Sequence, residues 1–186
     1  MTRLLVLLVL VTATADAHPR WGRHGASWGR PDIASLQSLT RACQDAMEGS
    51  EHEQQCVSIV AHARRSRDIE PMIGACESAM EGDENELECI RTVAASRWMS
   101  RSAIDACEQA MEGDEHELAC IRTMASGFLP DTAVSACEEA MEGDDNELAC
   151  LDALVGTRYE ATELVRYCDE NYAGDDAELA CIAQWR

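Results

Sequence analysis

Apolar positions recur along this chain at helical spacing, in short stripes broken by an acidic phrase. Ile104, Cys107 and Met111 fall at i, i+3 and i+7, with Ala110 between them. Past a turn, Leu118, Ile121, Met124 and Ala125 form a second stripe of the same period. Each stripe is the buried face of an amphipathic α-helix. The double stripe recurs five times, with ten cysteines marking its register: Cys43/Cys56, Cys76/Cys89, Cys107/Cys120, Cys137/Cys150 and Cys168/Cys181. Every pair reads C-x12-C, while the steps between pairs vary. The constant spacing therefore lies inside a repeat unit of about 31 residues.

The centre of each unit carries helix stop and start signals. Gly49, Gly82, Gly113, Gly143 and Gly174 follow the first stripe and suit the left-handed C′ position of a helix end. The next residues, Ser50, Asp83, Asp114, Asp144 and Asp175, are N-cap types. Glu53, Glu86, Glu117, Glu147 and Glu178 complete an [S/D]-x-x-E capping box in all five units. The two helices of a unit are thus expected to fold back as an αα-hairpin. At 1.5 Å rise per residue, both cysteines stand about 9 Å from the turn, one on each arm. Five disulfides inside hairpins, paired sequentially, follow from this. The alternative, joining the second helix of one unit to the first of the next, meets the variable spacing. Each closure is worth about 3 kcal/mol, which matters because helices of about 10 to 13 residues are marginal alone.

The expected fold class is all-α, an array of five stapled hairpins forming a short α-solenoid or a compact helical bundle. It occupies 32–186 as one domain, with units at about 32–66, 67–98, 99–129, 130–160 and 161–186. Ser100, Asp131 and Thr162 are expected N-caps of first helices, and Pro71 suits N1 after Glu70. Trp98, Phe128 and Tyr159 near the connectors are expected to pack between repeats. The end units depart most from the pattern: Gln54 replaces a Leu, while Tyr167, Asn171 and Tyr172 replace Ala, Ala and Met. Atypical end units are usual in repeat arrays.

Composition sharpens this. Aromatics make up 4% of residues, so the core is built from Ala, Leu, Ile, Val, Met and Cys, which favours helices over sheets. The basic residues are 15 arginines against 35 acids, for a net charge of -20. That excess repels nucleic acid and anionic lipid and favours basic proteins or cationic ligands. The first 17 residues, MTRLLVLLVLVTATADA, read as a signal peptide. Arg3 is its basic end, Leu4 to Val11 its apolar run, and Ala15-Asp16-Ala17 its cleavage site. The run is too short to span a membrane. Export to an oxidising compartment, secreted or periplasmic, is expected. Residues 18–31, HPRWGRHGASWGRP, read as a flexible basic arm rich in Trp, Gly and Arg. His18 and His24 in it carry a small copper-chelating potential beside the plainer reading of a solvated tail.

Candidate chemistry is sparse. An EF-hand counted from Asp114 fails, because position 6 is Ala119 in place of Gly and position 12 is Ala125 in place of Glu. Capping accounts for Asp114 and Glu117. Glu112 and its equivalents Glu48, Glu81 and Glu142 stand at the unfavourable end of the first helix dipole. Glu81, Glu112 and Glu142 are therefore the candidate ligands of a low-affinity calcium or other divalent site. C-x12-C is not the C-x-x-C of thiol oxidoreductases. His52 and His116 align with Asn85, Asn146 and Ala177, and HELAC at 116–120 lacks the second His of a zincin. No G-x-S-x-G, Ser-His-Asp set or phosphate loop occurs. No catalytic residue and no cofactor is expected. The unit length resembles the helix-pair repeats of tetratricopeptide or Sel1-like solenoids, but their signature aromatic and Leu-Gly positions are missing, and no family is assigned. The first expectation is an exported, non-enzymatic interaction or structural protein whose acidic ridge binds basic partners. The second is a divalent-cation-binding protein using the acidic turns, and the third an enzyme of unrecognised class.

Overall fold

A computed structural model describes residues 33–63 and 68–186. The expected signal peptide and basic arm lie outside these residues. The described chain forms ten helices and no strand: α1 (Ile33–Ala46), α2 (Ser50–Ala61), α3 (Glu70–Ala79), α4 (Asp83–Ala95), α5 (Arg101–Ala110), α6 (Asp114–Ser126), α7 (Thr132–Ala140), α8 (Asp144–Leu154), α9 (Ala161–Asn171) and α10 (Asp175–Ala183). Each consecutive pair is a hairpin. The first helices pack in the order α1, α3, α5, α7, α9, and the second helices in the order α2, α4, α6, α8, α10. The extensive contacts are all within a hairpin or between equivalent helices of neighbours. This is a two-layer solenoid, in which each unit buries its apolar stripe against the next.

The core lies between the layers. Ile73, Ile90, Ile104, Ile121, Leu151 and Ile182 are all fully buried there. Five disulfides cross it, Cys43–Cys56, Cys76–Cys89, Cys107–Cys120, Cys137–Cys150 and Cys168–Cys181, with Cα atoms 5.7 or 5.8 Å apart. Each joins the two helices of one hairpin, as the constant C-x12-C spacing requires. No described cysteine is free.

Connectors follow the expected caps in part. Ser100 accepts the N–H of Ala103 at 3.2 Å, and Asp131 that of Thr132 at 2.9 Å. Thr162 does not cap. Glu160 takes that role in α9 by accepting the N–H of Glu163 at 2.8 Å. Thr162 sits one residue inside the helix, and its hydroxyl meets that of Thr132 at 3.2 Å. Pro71 is the second residue of α3, after Glu70. The buried Ser96 hydroxyl, unremarked in the sequence, donates to the Ala125 carbonyl at 3.2 Å and accepts from the N–H groups of Trp98 and Met99.

The turn differs from a capping box. Each of the first four first helices ends at an Ala, and a buried Met47, Met80, Met111 or Met141 donates its N–H to the carbonyl of the disulfide cysteine. The glycine then serves as N-cap of the second helix, not as a left-handed C′ residue. Gly113, for example, has φ 84° and ψ 152°. That is a mirror-image extended conformation essentially confined to glycine. A Cβ there would meet nothing within 4 Å, so the constraint is conformational and not spatial. Asp114 and its equivalents consequently fall at the first helical position, and none of these five helices has a side-chain N-cap bond.

Candidate functional site: the acidic turn edge

The freed aspartates act between units. Asp83 accepts the backbone N–H of Glu48 at 3.1 Å, and Asp114 accepts that of Glu81 at 3.2 Å. Asp144 accepts from Glu112 at 3.0 Å and Asp175 from Glu142 at 3.3 Å. Each carboxylate therefore satisfies the turn amide of the preceding hairpin. A second donor comes from the same preceding turn. His52 Nδ1 reaches Asp83 at 2.6 Å and His116 Nδ1 reaches Asp144 at 2.9 Å. Asn85 and Asn146 donate their side-chain amides to Asp114 and Asp175. These rungs draw the five turns into one continuous edge.

The His/Asn position also binds its own turn. His52 Nδ1 lies 3.3 Å from the Glu48 carbonyl and His116 Nδ1 3.1 Å from that of Glu112. Both neighbours of Nδ1 are acceptors, so Nδ1 carries the hydrogen. The two imidazoles are held above their ordinary pKa chiefly by these carbonyls, with Asp83 or Asp144 adding to the effect and desolvation opposing it. Neither histidine is arranged as a metal ligand.

Beneath the edge lie four buried glutamates. Glu86, Glu117, Glu147 and Glu178 are between 5% and 8% exposed, and Oε2 of each has no hydrogen-bond partner. Burial first, and then the charges of Asp83, Glu77 and Glu48, together push Glu86 up to about 7. Glu117 also rises to about 7, through burial and then Asp114, Glu108 and Glu81. Glu147 and Glu178 are raised for the same reason, with Asp144 and Glu138 facing the first, and Asp169 and Asp175 the second. In Glu178 a bond from the Gly174 N–H to Oε1, at 3.1 Å, works against the rise. The residue intended to close a capping box is thus a carboxyl enclosed by other carboxyls. The first unit fits this picture, since Glu53 has no hairpin before it among the described residues and stays half-buried.

Between the first two hairpins the acids line a cleft of about 770 Å³, with Asp45, Glu48, Glu77, Glu81, Asp83 and Glu86 on its walls. No arginine occurs from 47 to 54, 80 to 87, 111 to 118, 141 to 148 or 172 to 179. Arginine is kept out of these turns, and the basic groups within them are His52 and His116, each already paired with an aspartate.

The structure does not bring Glu81, Glu112 and Glu142 together. One stands on each turn, exposed, and among the described residues no group of three or more His, Cys, Asp or Glu is placed to hold a metal ion. Their presumed conflict with the helix dipole also disappears. Because Met111 is already extended, Glu112 immediately precedes the N-cap Gly113 of α6, at the favourable positive end of that helix.

The opposite, connector edge carries Trp98, Phe128 and Tyr159, which the sequence assigned to packing between repeats, and Trp185, which it did not. Trp98 meets Phe128 edge-to-face at 5.5 Å, and Tyr159 meets Trp185 at 5.1 Å. These are contacts between successive units, yet the four rings are between 42% and 76% exposed. No protein-family model, curated protein or solved structure shows significant similarity to this chain.

Proposed function

We propose that this is an exported, non-enzymatic helical-repeat protein whose acidic turn edge binds a basic protein through its arginine or lysine side chains. The observation that carries the reading is the set of buried carboxyls Glu86, Glu117 and Glu147, each with an oxygen that has no hydrogen-bond partner and each facing other carboxylates. A guanidinium or ammonium group entering the seam relieves that repulsion and supplies the missing hydrogen bonds. The solenoid repeats the same arrangement from seam to seam, which suits an extended basic segment with several cationic side chains. Five disulfides belong to an oxidising compartment. The leader-like N-terminal sequence supports export.

Calorimetric titration with a nona-arginine peptide tests this. Saturable binding at physiological ionic strength is expected, weakening steeply as salt screens the charges. It is expected to weaken again when Glu81, Glu112 and Glu142 are changed together to Gln. Absence of binding, or binding indifferent to both salt and these substitutions, would overturn the reading.

A further inference from the structure

The solenoid has a second concavity of different chemistry, at the far end from the first cleft. It encloses about 420 Å³ between the last connector, α9 and the C-terminal turn, and is lined by Tyr159, Tyr167, Trp185, Leu164, Glu160 and Glu163. We propose that it is a binding site for a small soluble cation bearing a permethylated ammonium group, a choline-type solute.

Three observations converge on that chemistry. First, the ring planes of Tyr159 and Trp185 stand at 76° with centroids 5.1 Å apart, so two aromatic walls meet at a corner, and Tyr167 lines the same space. Aromatic faces carry negative quadrupole potential and attract cations. Second, the floor is apolar: Leu164 is 6% exposed. Third, the rim holds two carboxylates, Glu160 at the N-cap of α9 and Glu163 in its first turn. Glu160 spends one oxygen on the Glu163 N–H at 2.8 Å, which fixes it in place.

The contrast with the acidic cleft decides the class of cation. A bare ammonium or guanidinium ion is strongly hydrated or needs several oxygen acceptors, and the turn edge offers those. A permethylated ammonium has no N–H to satisfy and sheds water readily. It fits apolar and aromatic walls, with carboxylates near enough to balance charge but not required as acceptors. The volume falls in the ordinary range for a small-molecule site. The corner is held by backbone as well as by rings, since the Trp185 N–H is bonded to the Ile182 carbonyl at 3.1 Å.

The test is a calorimetric or NMR titration of the oxidised full chain with choline. Its uncharged isostere 3,3-dimethylbutan-1-ol and methylguanidinium serve as comparisons. Saturable choline binding is expected, with the isostere weaker by roughly threefold to thirtyfold, the range of a cation–π contribution. Trp185→Leu and Tyr159→Leu should lose binding while Trp185→Phe retains most of it, and nona-arginine binding at the turn edge should be unchanged in all three. Unchanged circular dichroism and melting temperature show that the variants are folded. Equal binding of the isostere, equal or tighter binding of methylguanidinium, or indifference to loss of both rings would overturn the proposal. Phosphatidylcholine vesicles separate a lipid headgroup from a soluble ligand. Cosedimentation with them would overturn the assignment to a solute.

Discussion

The Asp114 carboxylate accepts the backbone N–H of Glu81, thirty-three residues earlier, with both oxygens 3.2 Å from the nitrogen. One side chain thus closes the turn of the hairpin before it, and the same bond recurs at Asp83, Asp144 and Asp175. In a solenoid, stability is the sum of unit and interface terms, so a residue repeated at every interface weighs on the whole array.

Asp114→Ala removes the acceptor for two donors, the Glu81 N–H and the Asn85 amide. A loss of about 1–2 kcal/mol is expected, read by chemical denaturation. Asp114→Asn keeps one acceptor oxygen and removes a charge beside Glu117, so it should fall between Ala and the native protein. Hydrogen exchange adds a local readout: the Glu81 amide should lose protection in Asp114→Ala while amides in α9 and α10 keep theirs. Unchanged protection at Glu81 would show that the rung does not form in solution.

Gly113→Ala should cost about 1–3 kcal/mol. The new methyl group meets no atom within 4 Å, so the loss comes from φ alone. A left-handed C′ glycine would tolerate Asn well. The observed ψ of 152° does not belong to that region. Gly113→Asn is therefore expected to be about as harmful as Gly113→Ala. If Asn proved clearly milder in a thermal melt, the turn would be the ordinary helix end that the sequence suggested.

The hairpins and their staples were legible because both rest on local periodicity. C-x12-C fixes which cysteines share a unit, and 3.6-residue stripes fix the helices that carry them. The aspartates were misread because [S/D]-x-x-E has a sufficient local explanation, and nothing within one unit shows that its partner lies in another. A signal was present between units. Ser50 replaces Asp in the first described hairpin, and Ala177 replaces His or Asn in the last described one, so each substitution falls where no neighbouring turn is seen among the described residues. Residues that change only where the described neighbour is missing mark coupling between repeats. The aromatic corner was harder to find. Tyr159 is near a connector, whereas Trp185 follows its cysteine by fewer residues than the other rings follow theirs, so no fixed spacing joins the pair.

Reduction should destabilise the protein severely. Each disulfide closes a short loop within one hairpin and contributes about 3 kcal/mol to it. The helices it joins, such as α7 with 9 residues and α10 with 9, are too short to persist alone. Circular dichroism in reductant should show loss of helix at temperatures where the oxidised form is intact. Substituting Cys168 and Cys181 together by Ala should melt the last hairpin first and, with it, the corner at Trp185. A reduced protein that kept its melting temperature would contradict this account of the fold.

Stability should fall as pH rises from acid to neutral, the reverse of an ordinary acidic protein held by ion pairs. Glu86 and Glu117 move from 4.5 to about 7 on folding, so the native state binds more protons than the unfolded chain between those values. Their favourable contribution is complete below 4.5 and is lost as pH rises through about 7. His52 and His116 act in the same sense, because folding raises them above 6.5. The melting temperature should be higher at pH 5 than at pH 8. Glu86→Gln with Glu117→Gln should flatten that profile by stabilising the protein at pH 8 and changing it little at pH 5. A basic peptide bound along the turns would favour the ionised carboxyls, so nona-arginine should stabilise the native protein more at pH 8 than at pH 5, with protons released on binding near pH 7. A melting temperature that climbed with pH would mean that these carboxyls are charged and solvated in the folded protein. The seams would then lack the repulsion that recommends them to a cation.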